Sequence, residues 1–116
     1  MSMGLQVHSE EMDNGVILKI EGRLDAASSP LLEEKMLAYI DEGKKHLLFD
    51  LTGLEYLSSA GMRLLLLGTK RLKANGGVLA LFGIHSDVME IIKMAGFEEI
   101  LHIFASKEDA LEFVKE

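Results

Sequence analysis

Three features of this 116-residue sequence predict one mixed α/β domain over residues 1–116. It opens with two segments of period-two hydrophobicity joined by a turn signal; short apolar runs then alternate with helical stretches; and serines or glycines mark most boundaries. A β-hairpin start followed by alternating helices and strands requires a mixed sheet, with right-handed crossovers between its parallel strands.

Leu5 and Val7 alternate with Gln6 and His8, and Val16, Leu18 and Ile20 alternate with Ile17, Lys19 and Glu21, the pattern of two half-buried strands. Asp13-Asn14-Gly15 predicts a hairpin between them, because Asn and Gly both tolerate positive φ. Gly22 then breaks the pattern ahead of Arg23-Leu24-Asp25. Ser28-Ser29-Pro30 starts a helix, with a hydroxyl to cap free N–H groups, proline in the first turn, and Glu33 and Glu34 near the positive end of the dipole. This helix should run to about Ile40 and stop before Gly43. The run Leu47-Leu48-Phe49, inside a segment from His46 to Leu51, is short enough for a central strand buried on both faces. A helix over 59–74 follows and is stopped by Asn75-Gly76-Gly77. Then come a strand over 78–82, a helix over 86–95 closed by Gly96, a strand over 100–104, and a last helix opened by Ser106-Lys107-Glu108-Asp109.

Composition narrows the function. A net charge of -7, with 12 Lys plus Arg against 19 Asp plus Glu, argues against a nucleic-acid partner, which needs a concentrated basic footprint. Lys70, Arg71 and Lys73 near a helix C-terminus read as complements to the dipole. With no cysteine, neither disulfides nor thiolate zinc sites hold the chain together, which suits a reducing compartment. Met1-Ser2-Met3-Gly4 lacks the features of a signal peptide, and no apolar run approaches the ~20 residues that cross a bilayer. No membrane insertion and a cytoplasmic location are expected.

Catalytic patterns are missing. A nucleophile elbow needs glycine two positions before its serine, and Leu57 stands there before Ser59. Phosphate-loop and dinucleotide fingerprints are absent, and His8, His46, His85 and His102 are scattered, so neither a metal nor a cofactor is expected. Asp25, Asp50 and Glu55 at strand ends read as turn caps before they read as an acid/base pair. The chain is expected not to be an enzyme.

The segment Asp50-Leu51-Thr52-Gly53-Leu54-Glu55-Tyr56-Leu57-Ser58-Ser59-Ala60-Gly61-Met62-Arg63 is the most specific part of the sequence. It resembles the signature of the STAS-domain anti-sigma factor antagonists: a central strand, a short loop, and a serine followed by glycine at a helix start. Glu21-Gly22-Arg23-Leu24-Asp25 and Gly76-Gly77 agree with the same family in order and spacing. The resemblance implies an unmodified protein that binds an anti-sigma factor, itself a serine kinase, and so frees a sigma factor. It further implies that phosphorylation of a serine at this helix start ends the binding and that a phosphatase reverses it. Aligning the family's glycine with Gly61 places the acceptor at Ser59, with Ser58 as the second candidate. Ser58 stands where many members carry aspartate, and Ala60 where they carry a second hydroxyl residue. Asp25 matches an aspartate that lies near the site in the family. A bland alternative remains for each: Ser58 or Ser59 as a plain helix N-cap, and Asp25 as a carboxylate capping the helix that begins near Ser28. The other functional reading is an interaction subunit of a lipid-transport or stress-sensing complex that uses the same domain.

The partner surface is expected around Asp25, Ser58, Ser59, Ala60 and Gly61 and along the following helix. Four consecutive leucines, Leu64 to Leu67, cannot all face the sheet when each residue turns about 100°. If Met62, Leu65, Leu66 and Leu72 pack inward, Leu64 and Leu67 flank Arg63 and Arg71 on an outer, partner-facing side. Gly61 and Gly68 offer the alternative of marking the sheet-facing side themselves.

Overall fold

The computed structural model describes residues 4–115. Strands β1 (Leu5–Met12) and β2 (Gly15–Leu24) form the expected antiparallel hairpin, closed by the pair Met12 and Gly15 around Asp13-Asn14. Asn14 alone takes the left-handed conformation there, at φ 60°. Gly15 serves a different purpose from the one its dipeptide suggests. A Cβ on it would lie 2.7 Å from the His46 carbonyl oxygen, so a bare Cα lets the hairpin abut the next strand.

Helix α1 (Ser29–Asp41) leads to β3 (His46–Asp50), which pairs parallel with the first half of β2. Strand β4 (Leu54–Leu57), inside what the sequence presents as a loop, pairs parallel with the second half of β2. Its burial runs buried, exposed, exposed, buried, which gives no period of two to read. Helix α2 (Ser59–Ala74), β5 (Val78–Phe82), α3 (Ser86–Ala95), β6 (His102–Phe104) and α4 (Lys107–Lys115) complete the chain. The sheet order is β1-β2-β3-β5-β6, with β4 on the flank of β2. The last strand is shorter than expected: Ile100 lies before it and is 51% exposed.

Alternation in the central strands sends side chains to two cores. Val16, Leu18, Leu47 and Phe49 meet α1, α2 and α3 on one face; Ile17, Leu48, Ala80 and Phe82 meet Ala110 and Val114 of α4 on the other. β3 therefore needs the continuous apolar run that the sequence shows. Gly68 permits close approach of α1 and α2, since a Cβ there would meet the Met36 sulfur at 2.7 Å. Helix α3 ends on Gly96 at φ 81°, and Ser106 caps α4 by accepting from the Asp109 N–H at 3.1 Å. No helix among the described residues is long and apolar enough to cross a membrane.

Candidate partner-binding site

Two sheet ends meet at the start of α2. Leu24 and Leu57 are register partners in β2 and β4, so Asp25 and Ser58, the next residues, leave the sheet side by side. The Ser58 N–H donates to the Leu24 carbonyl at 2.9 Å and fixes that arrangement. Ser58 is then extended, at φ -89° and ψ 175°, and its Oγ accepts from the Gly61 N–H at 3.2 Å while its carbonyl accepts from Met62. It is a helix N-cap, and its hydroxyl is occupied. Ser59, the first helical residue, is exposed, and no described residue hydrogen-bonds its hydroxyl. The structure thus gives different settings to two adjacent serines, of which the resemblance puts Ser59 first as acceptor and Ser58 second.

Gly61 is buried, and a Cβ on it would come within 2.7 Å of both Leu24 and Leu57 side chains. Its place in the motif is explained by helix–strand contact, and it offers no side-chain surface to a partner. Ala60 beside it is half-buried.

Asp25 begins α1 in an equally local way. Its Oδ1 accepts from the Ser28 N–H at 3.0 Å, and the Ser28 Oγ accepts from the Asp25 N–H at 3.0 Å, a reciprocal box set one turn ahead of the regular helix. The Ser28 N–H first, and then the Ser28 hydroxyl, hold the Asp25 carboxyl below its ordinary value. The anion at the start of α1 is therefore Asp25; Glu33 and Glu34 lie beyond the first turn. Asp50 is likewise a turn carboxylate, accepting from the Thr52 N–H at 3.0 Å and its hydroxyl at 2.7 Å. Among the described residues no group of three His, Cys, Asp or Glu side chains could hold a metal ion.

Along α2 the expected outer face is rotated. Leu64 is 4% exposed and belongs to the main core with Met62, Leu65 and Leu72, so it faces no partner. Leu66, expected inward, is half-buried beside Leu67 at a surface groove. Gly61 and Gly68 mark the packed side, and Leu64 and Leu65 share it, buried in the main core with Met62 and Leu72. Arg63 and Arg71 are both exposed, but of the two only Arg63 borders the groove.

That groove, about 370 Å³, starts at Ser58 and Ser59 and runs between α2 and α3. Met62, Arg63 and Leu66 form one wall; Ile91, Ala95 and Phe97 form the other. The α3 wall was not legible in the sequence: Ile91 and Ala95 sit in an ordinary amphipathic pattern, and Phe97 follows a terminating glycine. Close by, on the exposed ends of β2 and β4, the Arg23 guanidinium lies 4.3 Å from the centre of the Tyr56 ring.

The family model of the STAS domain matches residues 6–110. BtrV of Bordetella bronchiseptica is 31% identical over 106 residues, covering 91% of each chain. The anti-sigma-B factor antagonist of Bacillus subtilis is 26% identical over 110 residues, which cover 95% of this chain and all of that one. Among solved structures, an anti-sigma factor antagonist from Mycobacterium paratuberculosis superposes with a TM-score of 0.87 at 21% identity, over 97% of this chain and 95% of that one. The chain belongs to the STAS domain family, in its group of anti-sigma factor antagonists.

Proposed function

We propose that this protein is a cytoplasmic binding regulator that captures an anti-sigma factor on the face formed by Ser59 and the adjoining groove, and that phosphorylation of Ser59 ends the capture. The observation that carries this reading is the division of labour between the two serines: Ser58 is spent on the cap, and Ser59 presents an exposed, unengaged hydroxyl at the mouth of an apolar groove. In the modification, the anti-sigma factor acts as kinase: the Ser59 Oγ attacks the γ-phosphorus of ATP, ADP leaves, and the hydroxyl proton passes to a base of the kinase. A phosphatase restores the serine by hydrolysis.

A phosphate brings about -1.5 to -2 charge and three acceptor oxygens. At a helix N-terminus it meets free N–H groups and the positive end of the dipole, an interaction worth about 0.3–2 kcal/mol in its favour. The modified domain stays folded. A partner closing over the same spot must strip water from that charge, at a cost of roughly several kcal/mol if it is left unpaired. Binding is the side that loses.

The test is incubation of the protein with the anti-sigma factor of its own organism and ATP, location of the phosphate by mass spectrometry, and comparison of affinities for Ser59→Ala and Ser59→Asp. Phosphate on Ser59 and a large loss of affinity in Ser59→Asp alone are expected. Phosphate on neither serine, or equal affinities, overturns the switch.

A further inference from the structure

The groove beside Ser59 continues along α2. A depression of about 590 Å³ shares Arg63, Leu66 and Phe97 with it and adds Leu67, Lys70 and Ile100. Past Lys70 and Ile100 a third, of about 530 Å³, reaches Lys73, Glu99 and His102. On the helix, Ser59, Arg63, Leu66, Lys70 and Lys73 follow one another at spacings of three or four, so they form a single stripe. At 1.5 Å per residue that stripe rises about 21 Å, the length of a four-turn helix.

The charge of this trough opposes that of the molecule. The chain carries a net charge of -7, yet Arg63, Lys70 and Lys73 line the trough against one carboxylate, Glu99. None of the three cations is in an ion pair among the described residues, where the paired lysines are Lys19 and Lys44. Between the cations the floor is apolar: Leu66 and Leu67 on one side, Phe97 and Ile100 on the other. As far as Lys70 and Ile100 the walls are α2 on one side and α3 with the segment after it on the other, and only the far end touches the edge strand β6, at His102. The trough therefore suits the side chains of a helix better than the backbone of an added strand.

We propose that this trough receives an acidic amphipathic helix of the partner protein, its apolar side on Leu66, Leu67, Phe97 and Ile100 and its carboxylates against Arg63, Lys70 and Lys73. The proposal rests on the reading of the Ser59 face as the partner surface and gives that partner a chemistry. It also supplies the means of release. Ser59 begins the stripe, one turn before Arg63, and a phosphate of about -1.5 to -2 charge there cancels the trough's excess of two positive charges. The attraction that held an acidic segment is then lost.

The experiment uses the full chain, labelled with nitrogen-15, and two synthetic helical peptides with leucines at i, i+3, i+4 and i+7. One carries glutamates on its flanks and the other lysines at the same positions. The acidic peptide should shift the amides of residues 59–73 and 97–102. Its affinity should fall by about tenfold or more in the pair Lys70→Glu and Lys73→Glu, in Ser59→Asp, and at high salt. Both lysines are exposed, and circular dichroism checks that the variants fold. Equal binding of the two peptides, shifts elsewhere on the surface, or no binding up to millimolar peptide overturns the proposal. So does sedimentation that shows a second copy of the chain occupying the trough. No kinase or ATP is present, so failure of the phosphorylation test and failure of this one are separately visible.

Discussion

Two helices of this protein begin with the same dipeptide, and the two beginnings are put to different use. At α1, Ser28 and Ser29 are both consumed: the Ser28 Oγ lies 2.8 Å from the Arg23 carbonyl, and the Ser29 Oγ donates to the Asp25 carbonyl at 2.6 Å. Ser29 is buried, at 7% exposure. At α2, Ser58 accepts one N–H bond and Ser59 stands in solvent. The residue that decides is the one ahead of the pair. Asp25, three residues before Ser28, draws the chain into an extra turn and folds both hydroxyls inward. β4 delivers Ser58 straight from the sheet in extended conformation, which leaves the following side chain outside. A serine pair is a structural cap in one setting and an accessible site in the other.

The comparison can be broken most sharply by the same substitution in both pairs. Ser29→Asp places a carboxylate in a buried spot against the Asp25 carbonyl and should cost about 3 kcal/mol or more. Ser59→Asp should raise stability by about 0.3–1 kcal/mol through the helix dipole. Urea melts of the two variants read the contrast directly, and similar midpoints would show that the two starts do not differ.

Next in size is the third position after each cap. Gly61→Ala forces a Cβ to 2.7 Å from Leu24 and Leu57 and should cost about 1–3 kcal/mol. The matching residue in α1, Leu31, is 40% exposed, and Leu31→Ala should stay within about 0.5 kcal/mol. Thermal denaturation with equal losses at the two positions would contradict the packing described for Gly61.

Within the α2 pair, Ser58→Ala removes the cap and should cost about 1 kcal/mol. Ser59→Ala should change stability by no more than about 0.5 kcal/mol, as for other exposed positions. Chemical denaturation in which Ser59→Ala is the costlier variant would reverse the assignment of cap and acceptor.

The smallest effect concerns Asp25. Its folded value is depressed below the ordinary 3.8, so its charge stabilises the folded state above that value, and the contribution is lost as pH falls through the folded value. The Tm of the native chain should exceed that of Asp25→Asn at neutral pH, and the difference should shrink as the solution is acidified below about pH 4. A difference that grows on acidification would mean that the Ser28 contacts do not hold the charged form.

Much of this was legible in the sequence because it depends on neighbours along the chain. The hairpin, the four helices with their stops, and the buried run of β3 follow from turn residues, caps and periodicity acting over a few residues. So does the cap at Ser106. What escaped depends on contacts between distant segments. β4 shows no alternation because its register against β2 shifts between Gly22 and Arg23, leaving Glu55 as an extra residue, so Leu54 and Leu57, three apart, both reach the main core. Ile100 reads as a strand residue by composition, but the partner strand β5 pairs only from Ala80 to Phe82 with His102 to Phe104.

The sequence by itself determined the fold class, the order of elements and the segment in which the site lies. Local propensity and the periods of 3.6 and 2 are properties of consecutive residues. Tertiary structure alone decided which serine is free, which leucines face the groove, and that Phe97 and Ile100 stand opposite Arg63 and Lys70. A helix buried over a wide arc has no sequence mark for where its exposed stripe begins; the neighbours that cover it set that edge. Leu64 and Leu66 differ only by their place on α2 relative to α1, α3 and the sheet, and that relation exists only once the chain has folded.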